Sequence, residues 1–157
     1  MKPLVVYYSR TGTTKQVAEK LAQSLNCESE ELVDTKKRSG PLGWVAAGRD
    51  ATQKKLTTLA DIKHDPSLYD LVILGTPIWA GTLSSAMRTY ITNNKSTFKQ
   101  VAFFCTQGGT ENQQLFVEME SLCEQRPVNV FALPQKEVKA GAYQDKLRQF
   151  ADKLLAP

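Results

Sequence analysis

A strict alternation of two periodicities is what most restricts the fold of this chain. Pro3 to Tyr8 reads PLVVYY and ends at Ser9-Arg10-Thr11-Gly12, after which Val17, Leu21 and Leu25 recur every four residues. A β-branched and aromatic run of the first kind predicts a strand, and a four-residue recurrence predicts one face of a helix. The pattern then repeats. Glu28 to Val33 is a weaker strand, followed by a basic segment with room for a second helix. Leu71 to Gly75 precedes a helical face of Leu83, Met87, Tyr90 and Ile91. Val101 to Cys105 precedes Leu115, Met119 and Leu122, a helix that Thr110 and Gln113 would open as a capping box. Val128 to Leu133 leads into Leu147, Phe150, Ala151, Leu154 and Leu155, the cleanest helical stripe in the chain.

Five strands, each followed by a helix and several of them apolar on both faces, predict an α/β fold. Its sheet would be parallel, with helices on both sides and right-handed crossovers. Folds of this kind bind ligands outside the carboxyl ends of the strands, where the strand order reverses. The loops after the first, third and fourth strands are therefore the ones to read for chemistry.

Composition narrows that chemistry. The 157 residues suit a single domain over 1–157, with no internal repeat or linker. Apolar runs such as Leu71 to Leu74 stop far short of the roughly 20 residues of a membrane span, so a soluble, cytoplasmic protein is expected. Cys27, Cys105 and Cys123 form no CxxC pair, and His64 is the only histidine. Thiolate or histidine metal sites and a histidine-assisted nucleophile are thereby disfavoured. Any chemistry must come from a bound cofactor or from carboxylates. Twenty basic against 16 acidic residues leave a mild positive charge of +4, without zinc-finger spacing or a basic aromatic platform for nucleic acid.

The first loop, Ser9-Arg10-Thr11-Gly12-Thr13-Thr14, places four hydroxyls and a glycine at the start of a helix. Free N–H groups and the helix dipole there suit a phosphate dianion, and the hydroxyls complete its shell. The loop lacks the Gly-x-x-x-x-Gly-Lys pattern and the three-glycine dinucleotide fingerprint, so a monophosphate fits better than a pyrophosphate. The same residues also suit plain helix capping. The second loop, Thr76-Pro77-Ile78-Trp79-Ala80-Gly81-Thr82, sets an indole on a proline-stiffened segment. That indole suits stacking on an aromatic ring, and equally a place in the core. In the third loop, Thr106-Gln107-Gly108-Gly109 follows Cys105, and its paired glycines let backbone N–H groups approach a ligand or simply turn the chain.

Phosphate, planar ring and polar ring edge together describe flavin mononucleotide (FMN). On these residues the chain resembles the flavodoxin family, through YYSRTGTTKQVAEKLA at 7–22, GTPIWAGTLSSAMRTYI at 75–91 and FFCTQGG at 103–109. The resemblance implies a flavodoxin-like three-layer sandwich with a five-stranded parallel sheet of order 2-1-3-4-5. It also implies noncovalent FMN and electron transfer through it. By the same resemblance Ser9, Arg10, Thr11, Gly12, Thr13 and Thr14 form the phosphate loop. Trp79 flanks the inner face of the flavin, with Thr76, Pro77, Ile78, Ala80 and Gly81 around the ring. Cys105, Thr106, Gln107, Gly108 and Gly109 border its pyrimidine side.

Two features depart from an acidic electron carrier of that family. The chain is basic, and its third loop carries Gln107-Gly108-Gly109 where such carriers place a tyrosine on the outer flavin face. The outer face is then either open to a second substrate or covered by Trp44. The segment from Lys36 to Lys55 holds Lys36, Lys37, Arg38, Arg49, Lys54 and Lys55 around Trp44. It reads as a loop and helix with a solvated basic face, or as a docking site for an anionic partner. Three functions follow as expectations. The first is an FMN electron carrier working with a redox partner protein. The second is an NAD(P)H-dependent FMN oxidoreductase acting on a quinone or similar acceptor, and the third is a flavin-free protein-binding or signalling module of the same fold. Nucleic acid is not an expected partner, and either a monomer or a homodimer is compatible.

Overall fold

The computed structural model describes residues 1–36, 40–109 and 113–157. Strand β1 (Pro3–Tyr7) feeds helix α1 (Thr13–Leu25), then β2 (Glu28–Glu31) and α2 (Gly40–Thr52). Strand β3 (Leu71–Trp79) turns back into the two-residue β4 (Thr82–Leu83) before α3 (Ser85–Asn94). The chain closes with β5 (Val101–Gln107), α4 (Gln113–Cys123), β6 (Val130–Pro134), a short α5 (Gln135–Lys139) and α6 (Gln144–Leu155). The sheet runs β2-β1-β3-β5-β6, with β4 attached to β3. Numbered by its parallel strands alone, this is the expected 2-1-3-4-5.

Alternation along the central strands sends successive side chains to opposite faces. Leu4 and Val6 of β1, Leu74 of β3 and Phe103 of β5 pack with Met87, Tyr90 and Met119 from α3 and α4. Val5, Ile73 and Phe104 pack on the other face with Val17 and Leu21 of α1 and Phe150 of α6. Each such side chain contributes about 1.5–3 kcal/mol when fully buried, so the doubly covered centre of the sheet is the most stable part of the molecule. One contact there fixes a residue type. A Cβ on Gly75 would lie 2.0 Å from the Phe104 ring, which its register partner lays across it.

The structure corrects several expectations. The segment from Thr76 to Trp79 continues β3 rather than forming a loop, and Ala80 (φ 48°) and Gly81 (φ 80°) make the tight turn into antiparallel β4. Two successive positive φ values are the type I′ geometry that matches strand twist in a two-residue hairpin. Leu83 therefore lies in β4, ahead of α3, whose N-cap is Ser84; its hydroxyl accepts from the Met87 N–H at 3.2 Å. The edge strands are shifted from their expected limits. Strand β2 stops at Glu31, leaving Val33 exposed, and β6 starts at Val130 and runs to Pro134. The apolar stripe of α6 ends at Leu154, with Leu155 half exposed. Helix α5 was not foreseen, and the Thr110 capping box lies outside the described residues. Among the described residues no helix is long and apolar enough to cross a membrane.

Candidate functional site

The carboxyl ends of β1, β3, β5 and β6 lie at one edge of the sheet, and a cleft of about 130 Å³ opens there. Its first wall comes from the loop after β1. Gly12, at φ +97°, is the N-cap of α1 and supplies no side-chain hydrogen bond to the first turn. The Ser9 hydroxyl instead accepts from the Gly12 N–H at 3.1 Å, closing the loop on itself. The helix start thus presents its own N–H groups and carries no acidic residue in its first turn. Such an end bears about half a positive charge. The capping alternative for these hydroxyls is set aside, because no side chain caps α1. Arg10, Thr11, Thr13 and Thr14 line the cleft, while Ser9 and Gly12 shape the loop behind it.

The second wall is the end of β3, where Pro77, Ile78 and Trp79 face the cleft. Trp79 is only 6% exposed, and its ring meets Tyr8 edge-on, with centroids 5.2 Å apart and planes at 88°. Core packing and cleft lining, which the sequence leaves as alternatives, here hold together: the indole is both. Thr76 is fully buried and does not line the cleft. Its hydroxyl accepts from the Ser84 N–H at 3.1 Å and so anchors the start of α3 beneath the hairpin. Ala80 and Gly81 form the turn beyond the cleft.

The end of β5 supplies the floor, through Thr106, Gln107 and Gly108. Thr106 and Thr14 share a buried hydroxyl pair at 2.8 Å, which binds the first loop to the third. Cys105 is 1% exposed within β5, between its partners Thr76 and Ala132, and is not part of the lining. Gly109 lies exposed beyond it. His64 sits elsewhere, with Nδ1 2.5 Å from a Glu30 carboxylate oxygen that also accepts backbone N–H groups of Lys63 and His64.

Two further side chains complete the cleft. Gln135 follows β6 at the same sheet edge, and its Nε2 donates to the Thr13 hydroxyl at 3.2 Å. Sequence reading missed it, although the carboxyl-edge rule applied to the fifth strand would have pointed to this position. Trp44 on α2 lines the mouth, 60% exposed, with the Arg10 guanidinium 4.3 Å from its ring centroid. It forms a side wall of the cleft. The basic segment is also less free than its composition suggests. Lys36 and Arg49 both pair with the buried carboxylate of Asp50, and Lys54 reaches Glu118 at 3.4 Å. Lys37 and Arg38 lie outside the described residues. Among the described residues Arg10 is the only charged side chain lining the cleft.

This arrangement suits a phosphorylated, planar ligand: an uncapped helix start with hydroxyls, an indole wall and a polar floor. No curated protein matches the chain. The structure is similar to a flavoprotein from Lactobacillus acidophilus solved in complex with FMN, at 24% identity over 88% of this chain and 97% of that one, with a TM-score of 0.73. It is also similar to two-electron reduced flavodoxin from Megasphaera elsdenii, at 17% identity, 97% and 98% coverage and a TM-score of 0.61. Oxidised flavodoxin 1 from Bacillus cereus aligns at 15% identity, 99% and 97% coverage and a TM-score of 0.58. At these identities the likeness speaks for the fold. The sequence itself matches the model of the flavodoxin family over residues 2–154, on a sheet of that order with its cleft at the carboxyl edge, and the chain belongs to that family.

Proposed function

We propose that residues 1–157 act as one FMN-binding domain and that the protein is an electron carrier. The observation that carries this reading is the union, in one cleft, of an uncapped α1 start with an indole wall. The N–H groups of α1 and the hydroxyls of Thr11 and Thr13 would hold the phosphate, with the Thr14 hydroxyl tied to Thr106 behind them. Trp79, fixed by Tyr8, would flank the ring, and Gln107 and Gly108 would meet its polar edge. Bound FMN supplies the capacity to take up and release electrons singly or in pairs. The residues hold it, orient it and exclude water from its buried side. The neighbour from Lactobacillus acidophilus, solved with FMN, supports the cofactor.

The family match over residues 2–154 puts the carrier first, and an NAD(P)H-dependent oxidoreductase of the same fold is the reading it has to be tested against. The purified protein is expected to release one FMN per chain on denaturation. Anaerobic mixing with NADH or NADPH should leave the flavin absorbance unchanged until a reductase protein is added. Rapid bleaching by NADPH alone would replace the carrier with the oxidoreductase. Colourless protein that takes up no FMN would remove the cofactor.

A further inference from the structure

The third loop has no aromatic residue, so whatever lies against the outer face of a ring in this cleft must come from elsewhere. Trp44 is the candidate that the structure supplies. It comes from α2, on a different part of the chain from Trp79, yet both indoles line the same cleft. Most of its surface is in solvent, but one face is held by Arg10, itself a residue of the loop before α1. A guanidinium at 4.3 Å from a ring centroid is within the range of cation–π attraction.

The size of the cleft indicates which wall gives way. Small-molecule sites usually span about 300–1,000 Å³, whereas this cleft holds about 130 Å³. Admitting a tricyclic ring therefore requires one wall to move outward. Trp79 is poorly placed to do so, being 6% exposed and wedged against Tyr8. Trp44, at 60% exposure, can rotate into solvent without opening the core.

We propose that Trp44 is the second aromatic wall of the site, a flap on α2 that Arg10 steadies at the mouth and that stacks on the outer face of the flavin ring. This inference rests on the FMN reading above. It assigns the outer cover to a helix packed against β3, β4 and α3, in place of the third loop.

Binding to flavin-stripped protein, followed by flavin fluorescence with FMN and with riboflavin, tests it. An aromatic wall acts on the ring and is indifferent to the phosphate. Trp44→Ala should weaken both flavins by about ten- to a hundredfold, the scale on which stacking is lost when an aromatic platform is truncated. Trp44→Phe should stay within about threefold of wild type, because a smaller ring still stacks. The exposed position predicts unchanged far-ultraviolet circular dichroism and Tm in both variants. Wild-type binding with Trp44→Ala within about twofold on both flavins would overturn the wall assignment alone, and so would a loss confined to FMN, which would show Trp44 acting through the phosphate loop. Failure of the wild type to take up either flavin would remove the cofactor reading and the wall with it.

Discussion

The hydroxyls of Thr14 and Thr106 lie 2.8 Å apart in a buried pair, joining the first turn of α1 to the end of β5 across a sequence separation of 92 residues. Neither oxygen has ready access to water, so each depends on the other. Thr14→Val or Thr106→Val alone should destabilise the fold by about 1–3 kcal/mol, because the surviving hydroxyl is left buried and unpaired. The double variant should recover most of that loss, since two apolar groups of the same shape replace the pair. Denaturant unfolding of the four proteins in a cycle measures the coupling. Strictly additive losses would mean that the two hydroxyls do not support each other.

A second stability prediction concerns the centre of the sheet. An added methyl at position 75 would meet the Phe104 ring at 2.0 Å, so that fully buried ring has to shift within a packed core. Gly75→Ala should therefore cost about 1–3 kcal/mol or more through overpacking. Gly75→Ala combined with Phe104→Leu should be less unstable than the sum of the two changes, because the smaller side chain vacates the contested space. The comparison needs only the midpoints of chemical denaturation. A Gly75→Ala protein as stable as wild type would show that the ring has another place to go.

How far the sequence foretold these contacts differs between fold and cleft. The central strands were legible because burial on both faces leaves uninterrupted apolar runs, and α6 because its stripe repeats with the helical period. Leu83 misled for a physical reason: its spacing to Met87 suits a helix, while the hairpin that places it in β4 turns on Ala80, a residue that gives no turn signal at positive φ. The three loops at the carboxyl edge were legible as a group because topology aligns them whatever their side chains do. The same rule extends to the position of Gln135 after the fifth strand, but its link to Thr13 joins residues far apart in the chain and leaves no local pattern. The place of Trp44 depends on the path of α2, which no periodicity fixes.

The loop before α1 gives a prediction that separates phosphate from ring. The Thr13 hydroxyl lines the cleft and is held by Gln135 at 3.2 Å. Thr13→Val removes a donor to the phosphate while keeping the shape of the side chain. FMN should bind about tenfold more weakly, the loss expected for one hydrogen bond to a charged group. Riboflavin, which has no phosphate, should bind as it does to wild type. Equal losses for both flavins in a fluorescence titration would place Thr13 against the ring.

The last prediction concerns acid stability and the hairpin that carries Trp79. Arg88 of α3 is 4% exposed, and its Nη2 donates to Glu118 Oε1 at 2.7 Å and to the Thr82 hydroxyl at 3.0 Å. That hydroxyl in turn donates to the other oxygen of Glu118, so β4, α3 and α4 meet in one network. Partial burial tends to raise the Glu118 carboxyl, but hydrogen bonds from Thr82 and Arg88 and the charges of Arg88 and Lys54 outweigh it, leaving the group below its ordinary value of 4.5. A carboxyl held low in the folded state stabilises at pH values above its unfolded pKa, and that contribution disappears as pH falls through the folded value. Glu118→Gln removes the charge and strands the buried guanidinium, at a cost of about 3 kcal/mol near neutral pH. The gap between wild type and Glu118→Gln should accordingly be full at pH 7 and close progressively below pH 4.5, while other carboxylates shared by both proteins give a common slope. Unfolding midpoints from pH 7 to pH 3 follow that gap directly. A difference that stays constant across the range would mean that Glu118 supports the hairpin by its shape and hydrogen bonds, with no part played by its charge.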